Sequence, residues 1–104
     1  MDHTRPLNFY TIFDSDGICL TAEFCGDFWV LHCTVEGPWT KSRLLGLRTV
    51  LRMAAAQTPF PVYAFQTPSC DPLKRKFITQ CGGVWERTMT TDTGQIADMY
   101  RFLP

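Results

Sequence analysis

The sequence predicts an α/β fold, a mixed sheet with helices in the order β-β-β-α-β-α-β-β, on three observations. Residues 28–35 form a strongly apolar run of strand length, Phe-Trp-Val-Leu-His-Cys-Thr-Val. After Glu36-Gly37-Pro38 the apolar spacing becomes helical over residues 40–57, and residues 60–66 return to a short apolar strand. Alternating runs punctuated by Asp- and Gly-containing turns flank this unit on both sides. A helix crossing between two strands makes them parallel neighbours in a right-handed crossover, and the flanking hairpins add antiparallel strands. The result is a mixed sheet.

The elements follow in order. Residues 1–6 read as a lead-in, and residues 7–13 are rich in β-formers. Asp14-Ser15-Asp16-Gly17 is a turn, and residues 18–25 alternate with Ile18, Leu20, Ala22 and Phe24 on one face, completing a hairpin. Gly26-Asp27 turns into the 28–35 strand, whose apolar character predicts a central strand covered on both faces. Leu44, Leu47, Leu51, Ala54 and Ala55 share one helical face, opposite a ridge of Lys41, Arg48 and Arg52, with Thr40 or Ser42 as N-cap. Thr58-Pro59 stops that helix. Asp71-Pro72 starts the second helix, which is expected to turn Leu73, Phe77, Ile78 and Cys81 inward and to end at Gly82-Gly83. Residues 84–90 and 95–102 alternate around Thr91-Asp92-Thr93-Gly94, a second hairpin.

At 104 residues and 45% apolar composition, residues 1–104 are expected to form one domain with its own core. The start lacks the basic end and apolar stretch of a signal peptide, and no apolar run has bilayer-spanning length, so a soluble cytoplasmic protein is expected. The five cysteines (Cys19, Cys25, Cys33, Cys70, Cys81) are odd in number and contain no Cys-x-x-Cys pair. With His3 and His32 the only histidines, they read as reduced, mostly buried small hydrophobes rather than a zinc site.

Net charge is zero, yet Lys41, Arg43, Arg48, Arg52, Lys74, Arg75 and Lys76 face only Asp71 between Gly37 and Trp85. Solvated helix faces account for most of this run. It also places a positive field beside the N-terminus of the helix that follows the central strand, where unpaired amides and the helix dipole favour an anion. Overall neutrality argues against a general nucleic-acid binder.

The element order resembles the GCN5-related N-acetyltransferase (GNAT) fold, truncated so that its N-terminal strand and first two helices are missing. Arg43-Leu44-Leu45-Gly46-Leu47-Arg48 is similar to the family's pyrophosphate loop, Arg/Gln-x-x-Gly-x-Gly/Ala, with Arg48 at the position of the last small residue. The loop from Val35 to Arg43 is about three residues longer than the family's usual one. Phe77-Ile78-Thr79-Gln80-Cys81-Gly82 is similar to the family's aromatic-Tyr-x-x-x-Gly run, with Ile78 where a tyrosine would protonate the coenzyme A thiolate. Gly26-Asp27-Phe28-Trp29 and the Lys76-Phe77 helix resemble short phage-encoded members.

The resemblance implies acetyl-CoA as cofactor, held by Val35, Lys41, Ser42, Arg43, Leu44, Leu45 and Gly46. It implies transfer to an amine of a host protein, with no membrane or nucleic-acid partner, and it leaves open a homodimer that covers the side of the missing helices. Glu23, His32 and Glu36 are the candidate bases for the acceptor amine. A satisfied core histidine and exposed edge carboxylates are the competing readings of these three. His32 and Cys33, as neighbours on a strand, point to opposite faces and cannot form a nucleophilic pair. Trp39, after Pro38, is the tryptophan expected to be exposed to a ligand or partner. The alternative function is a catalytically silent binding module with the same fold, a host-directed effector or a minor virion protein.

Overall fold

The computed structural model describes residues 9–67 and 72–104. The expected start of the first strand at residue 7, the Asp71 N-cap, Cys70 and His3 lie outside them. The described chain is a mixed α+β fold: β1 (Phe9–Ser15), β2 (Ile18–Phe24), β3 (Trp29–Val35), α1 (Lys41–Ala56), β4 (Val62–Gln66), α2 (Pro72–Gln80), β5 (Gly83–Thr90) and β6 (Ile96–Phe102). The six strands form one sheet in the order β1-β2-β3-β4-β6-β5. All pairs are antiparallel except β3–β4, which is parallel across the α1 crossover. No helix among the described residues is long and apolar enough to cross a membrane.

The first hairpin closes on Asp16 and Gly17, both at positive φ (54° and 74°), the tight turn whose twist suits paired strands. Thr40 caps α1, its hydroxyl accepting the Arg43 amide at 3.2 Å. Beyond the helix, Thr58 Oγ1 accepts both the Phe60 amide and the Trp29 indole N–H, fixing the chain as it turns into β4. The α2 helix ends at Gly82, whose φ of 100° suits glycine and whose amide bonds back to Thr79.

Register decides which residues share a face. Ile18, Leu20 and Ala22 lie opposite Val35, Cys33 and Leu31 on β3, while Val62 and Ala64 lie opposite Phe102 and Tyr100. Apart from Cys33, these positions meet Leu47, Leu51 and Ala55 of α1 and Ile78 and Cys81 of the α2 end in a single core. Both helices therefore pack on the same face of the sheet. Burying side chains of this size contributes about 1.5–3 kcal/mol each.

Three expectations are corrected. The central strand is not covered on both faces: His32, Cys33 and Thr34 are exposed. The physical reason is that both helices occupy one face, and β4 leaves the side of β3 after two residue pairs. Leu73 does not turn inward but is 69% exposed. It sits five positions before the buried Ile78, about 140° around the helix from the inward direction. The cysteines are not mostly buried: of the described four, only Cys81 is, Cys19 is half-buried, and Cys25 and Cys33 are exposed. Cys25 falls past the end of β2 and Cys33 on the stretch of β3 that β4 has left.

Candidate functional site

The parallel junction of β3 and β4 is short. Trp29 pairs with Val62 and Val30 with Tyr63, and no further pair forms. Beyond that point β3 continues to Val35 held only by β2, and β4 continues to Gln66 held only by β6. Each strand keeps its outer partner, so the two part company and open a slot of about 260 Å³. Leu31, Cys33 and Val35 form one wall, and Ala64, Phe65 and Gln66 the other. Leu47 and Leu51 of α1 and Phe77 and Ile78 of α2 close it from the helix side, with Lys74 beside it.

The backbone makes this slot chemically distinct. Trp29 donates its amide to Pro61 at 2.8 Å, so odd-numbered residues of β3 direct their backbone groups toward β4, and Pro61, Tyr63 and Phe65 direct theirs toward β3. Past the junction, Cys33 and Val35 thus present N–H and C=O groups to the slot from one side, and Phe65 from the other. An extended ligand carrying amides can hydrogen-bond to such walls as an added strand does.

Trp39 stands at the slot, 40% exposed, with its ring centroid 4.2 Å from that of Phe77. It is held there by Arg43, whose guanidinium carbon lies 5.6 Å from the centre of the indole. Arg43 is the most heavily engaged side chain at the site. It donates to the carbonyls of Pro38 at 2.6 Å, Glu36 at 2.9 Å and Asp16, and its Nε lies 3.5 Å from the Asp16 carboxylate. Only 13% of its side chain is exposed. The guanidinium ties the β3–α1 loop to the β1–β2 turn.

At the α1 N-terminus the Thr40 side chain takes the Arg43 amide and the Thr40 carbonyl takes that of Leu44. The Lys41 and Ser42 amides are the first two of the helix, with no carbonyl one turn back to accept them. Leu44 is half-buried, Leu45 is 50% exposed, and Gly46 faces open space, where an added Cβ would meet nothing within 4 Å. The residues expected to hold a pyrophosphate therefore divide: Lys41, Ser42, Leu45 and Gly46 lie on the outer surface of the first turns, and Arg43 is turned inward.

Of the three candidate bases, the structure brings two together. Glu23 Oε1 and His32 Nε2 are 3.3 Å apart across β2 and β3. Phe9 of β1 stacks on the imidazole at 5.1 Å between centroids, 21° from parallel. This group occupies the sheet face free of helices, with the imidazole drawn toward β2. Glu36 lies apart, past the end of β3, its carbonyl held by Arg43 and its amide by Gly17.

The thiols near the slot are protonated at neutral pH. Burial, then the neighbouring Cys19, pushes Cys33 up to about 11, and burial pushes Cys81 up to about 12. Cys33 is accessible to solvent through the slot, yet its sulfur is desolvated by the walls, so access does not make it reactive. Ile78, 5% exposed, offers no proton at all.

Two features escaped the sequence reading: the Arg43 anchor and the Glu23–His32–Phe9 group. The first had a signal in the length of the 35–43 loop, which needs a tether. The second follows only from register, which pairs Glu23 with both Phe9 and Val30 and places His32 opposite Thr21. No family model, no curated protein and no solved structure matches the chain.

Proposed function

We propose that the protein binds a coenzyme A thioester in the slot between β3 and β4 and acts as a small, truncated GNAT-like N-acetyltransferase on an amine of a partner protein. The observation that carries this reading is the two-pair β3–β4 junction, which opens a slot lined by unpaired backbone groups. The strand order β1-β2-β3-β4-β6-β5, with the parallel pair at the crossover, supports the same reading. The pantetheine arm would bond to Cys33, Val35 and Phe65, and the pyrophosphate would lie on the outer turns of α1 at Lys41, Ser42, Leu45 and Gly46.

In the reaction, the amine nitrogen attacks the thioester carbonyl, an amide forms, and the carbon–sulfur bond breaks to release coenzyme A. The amine proton goes to a base. An acceptor lying over the helix-free face would meet His32, held by Glu23. The departing thiolate takes its proton from water, since Ile78 has none to give and the Cys33 and Cys81 thiols, at about 11 and 12, are weak acids. Rate enhancement rests on holding the reactants together.

A second reading, a silent binding module that engages a host protein, is favoured by two observations. The side chain at the tyrosine position is a buried isoleucine, and the Arg43 guanidinium donates to the Pro38 and Glu36 carbonyls. Calorimetric titration with acetyl-CoA tests the first reading. Micromolar binding is expected, weakened about tenfold by the charge of Gly46→Glu and abolished by Cys33→Trp, which fills the slot. Absence of binding by the wild-type protein would sink both the slot assignment and the enzyme. Binding without new acetyl-lysines on partner proteins, read by mass spectrometry, selects the silent module.

A further inference from the structure

Two cavities lie on the face of the sheet that carries the helices. The slot between β3 and β4 is one. The other is a groove of about 460 Å³ between β1 and the second half of α1. Ala22 lines it from the sheet, Phe13 from β1 and Val50 from α1. It also touches Trp29 and Val62, the first pair of the β3–β4 junction. Among the described residues that line them, only Leu31 is common to the two. Its side chain is buried, 8% exposed, and belongs to the core beneath α1. Leu31 is the partition between slot and groove.

The direction of the slot gives this partition a place relative to the donor. Leu31 stands at the closed end, next to the Val30–Tyr63 pair. At the other end stands Val35, the last residue of β3 before the loop into α1. A thioester whose pyrophosphate lies on the first turns of α1 runs its pantetheine arm from Val35 toward Leu31. The acyl group is therefore the part of the donor that meets the Leu31 side chain.

We propose, resting on the coenzyme A reading above, that Leu31 is the residue that sets donor specificity, restricting the acyl group to acetyl or a similarly short chain. Its isobutyl group stands where acyl carbons beyond the methyl would have to continue. A close-packed interior offers no other volume at that point. Behind Leu31 the groove is apolar and roomy, so the limit on chain length is a single side chain thick. Shortening that side chain joins the two cavities and gives a longer acyl chain apolar surface against which to leave water.

Parallel calorimetric titrations of the full chain with acetyl-CoA and octanoyl-CoA test this. The wild type is expected to bind acetyl-CoA at least about tenfold more tightly than octanoyl-CoA. Leu31→Ala should lower that ratio at least about tenfold, and the milder Leu31→Val should fall between. Adding Val50→Trp to Leu31→Ala refills the groove and should return the preference to acetyl. Circular dichroism confirms that each variant is folded, and Leu31→Val carries the comparison where Leu31→Ala is not. A wild type that binds octanoyl-CoA as tightly as acetyl-CoA overturns the proposal, and so do truncations of Leu31 that leave the ratio unchanged. A lowered ratio that Val50→Trp fails to restore also overturns it, because a loosened core, not the partition, would then be responsible. No binding of either thioester by the wild type sinks the slot reading itself, and this proposal with it.

Discussion

Arg43 joins three carbonyls from two segments that are far apart in sequence, with little of its side chain left to solvent. Replacing it by methionine keeps the stem but strands those carbonyls, and charge-assisted bonds of this kind are worth about 1.5–3 kcal/mol each. Arg43→Met is expected to lower unfolding stability by about 3 kcal/mol in urea titration. Lysine should restore only part, because one ammonium cannot span the same fork. At Cys33, the raised pKa predicts slow alkylation at pH 7 despite access. Modification, followed by peptide mass spectrometry, should accelerate about tenfold per pH unit toward about 11. Asp98 accepts from Thr88 and Trp85, which hold its carboxyl below the usual range. Its folded pKa is depressed, so its contribution to stability is complete above the unfolded value and is lost as pH falls through the folded one. Acid titration of Trp85 fluorescence should therefore show a transition below the ordinary carboxylate range.

At the scale of elements, two glycines make opposite predictions. An added Cβ at Gly83 would come within 2.6 Å of Ile78 Cγ2 and 3.0 Å of its carbonyl, at the point where β5 leaves α2. Gly83→Ala is expected to cost about 1–3 kcal/mol. Gly46 has open space around it, and Gly46→Ala should stabilise α1 by about 0.5–1 kcal/mol. Thermal melts of the pair measure both.

The elements were largely legible because local chemistry specifies them: Asp16-Gly17 for the first turn, Thr40 for the cap, Gly82 for the stop. The exposure of β3 is hidden in its sequence, although His32 and Thr34 lie opposite Thr21 and Cys19 and together make one wet face. The apolar alternates Leu31, Cys33 and Val35 dominated the run. Of the candidate site, the crossover and the helix N-terminus were legible, because periodicity reveals both. The parting of β3 and β4 was not, since strand pairing is a property of two segments and no residue in either encodes its length. The inward turn of Arg43 depends likewise on the Asp16 carbonyl, 27 residues away.

At the scale of the molecule, the two-pair junction does more than open a slot. It divides the sheet into two blocks, β1–β2–β3 and β4–β6–β5, each internally laced by antiparallel ladders and joined edge to edge only at Trp29–Val62 and Val30–Tyr63. The α1 helix is the strap across the seam, with Leu47 and Leu51 in the core shared by both blocks. Such a seam is a hinge line. The two blocks should open as separate cooperative units, so native-state amide exchange in rising denaturant is expected to resolve two sets of strand amides with distinct opening free energies. A ligand seated across the seam would act as a crosslink, merging the two sets into one and slowing exchange on strands it never touches.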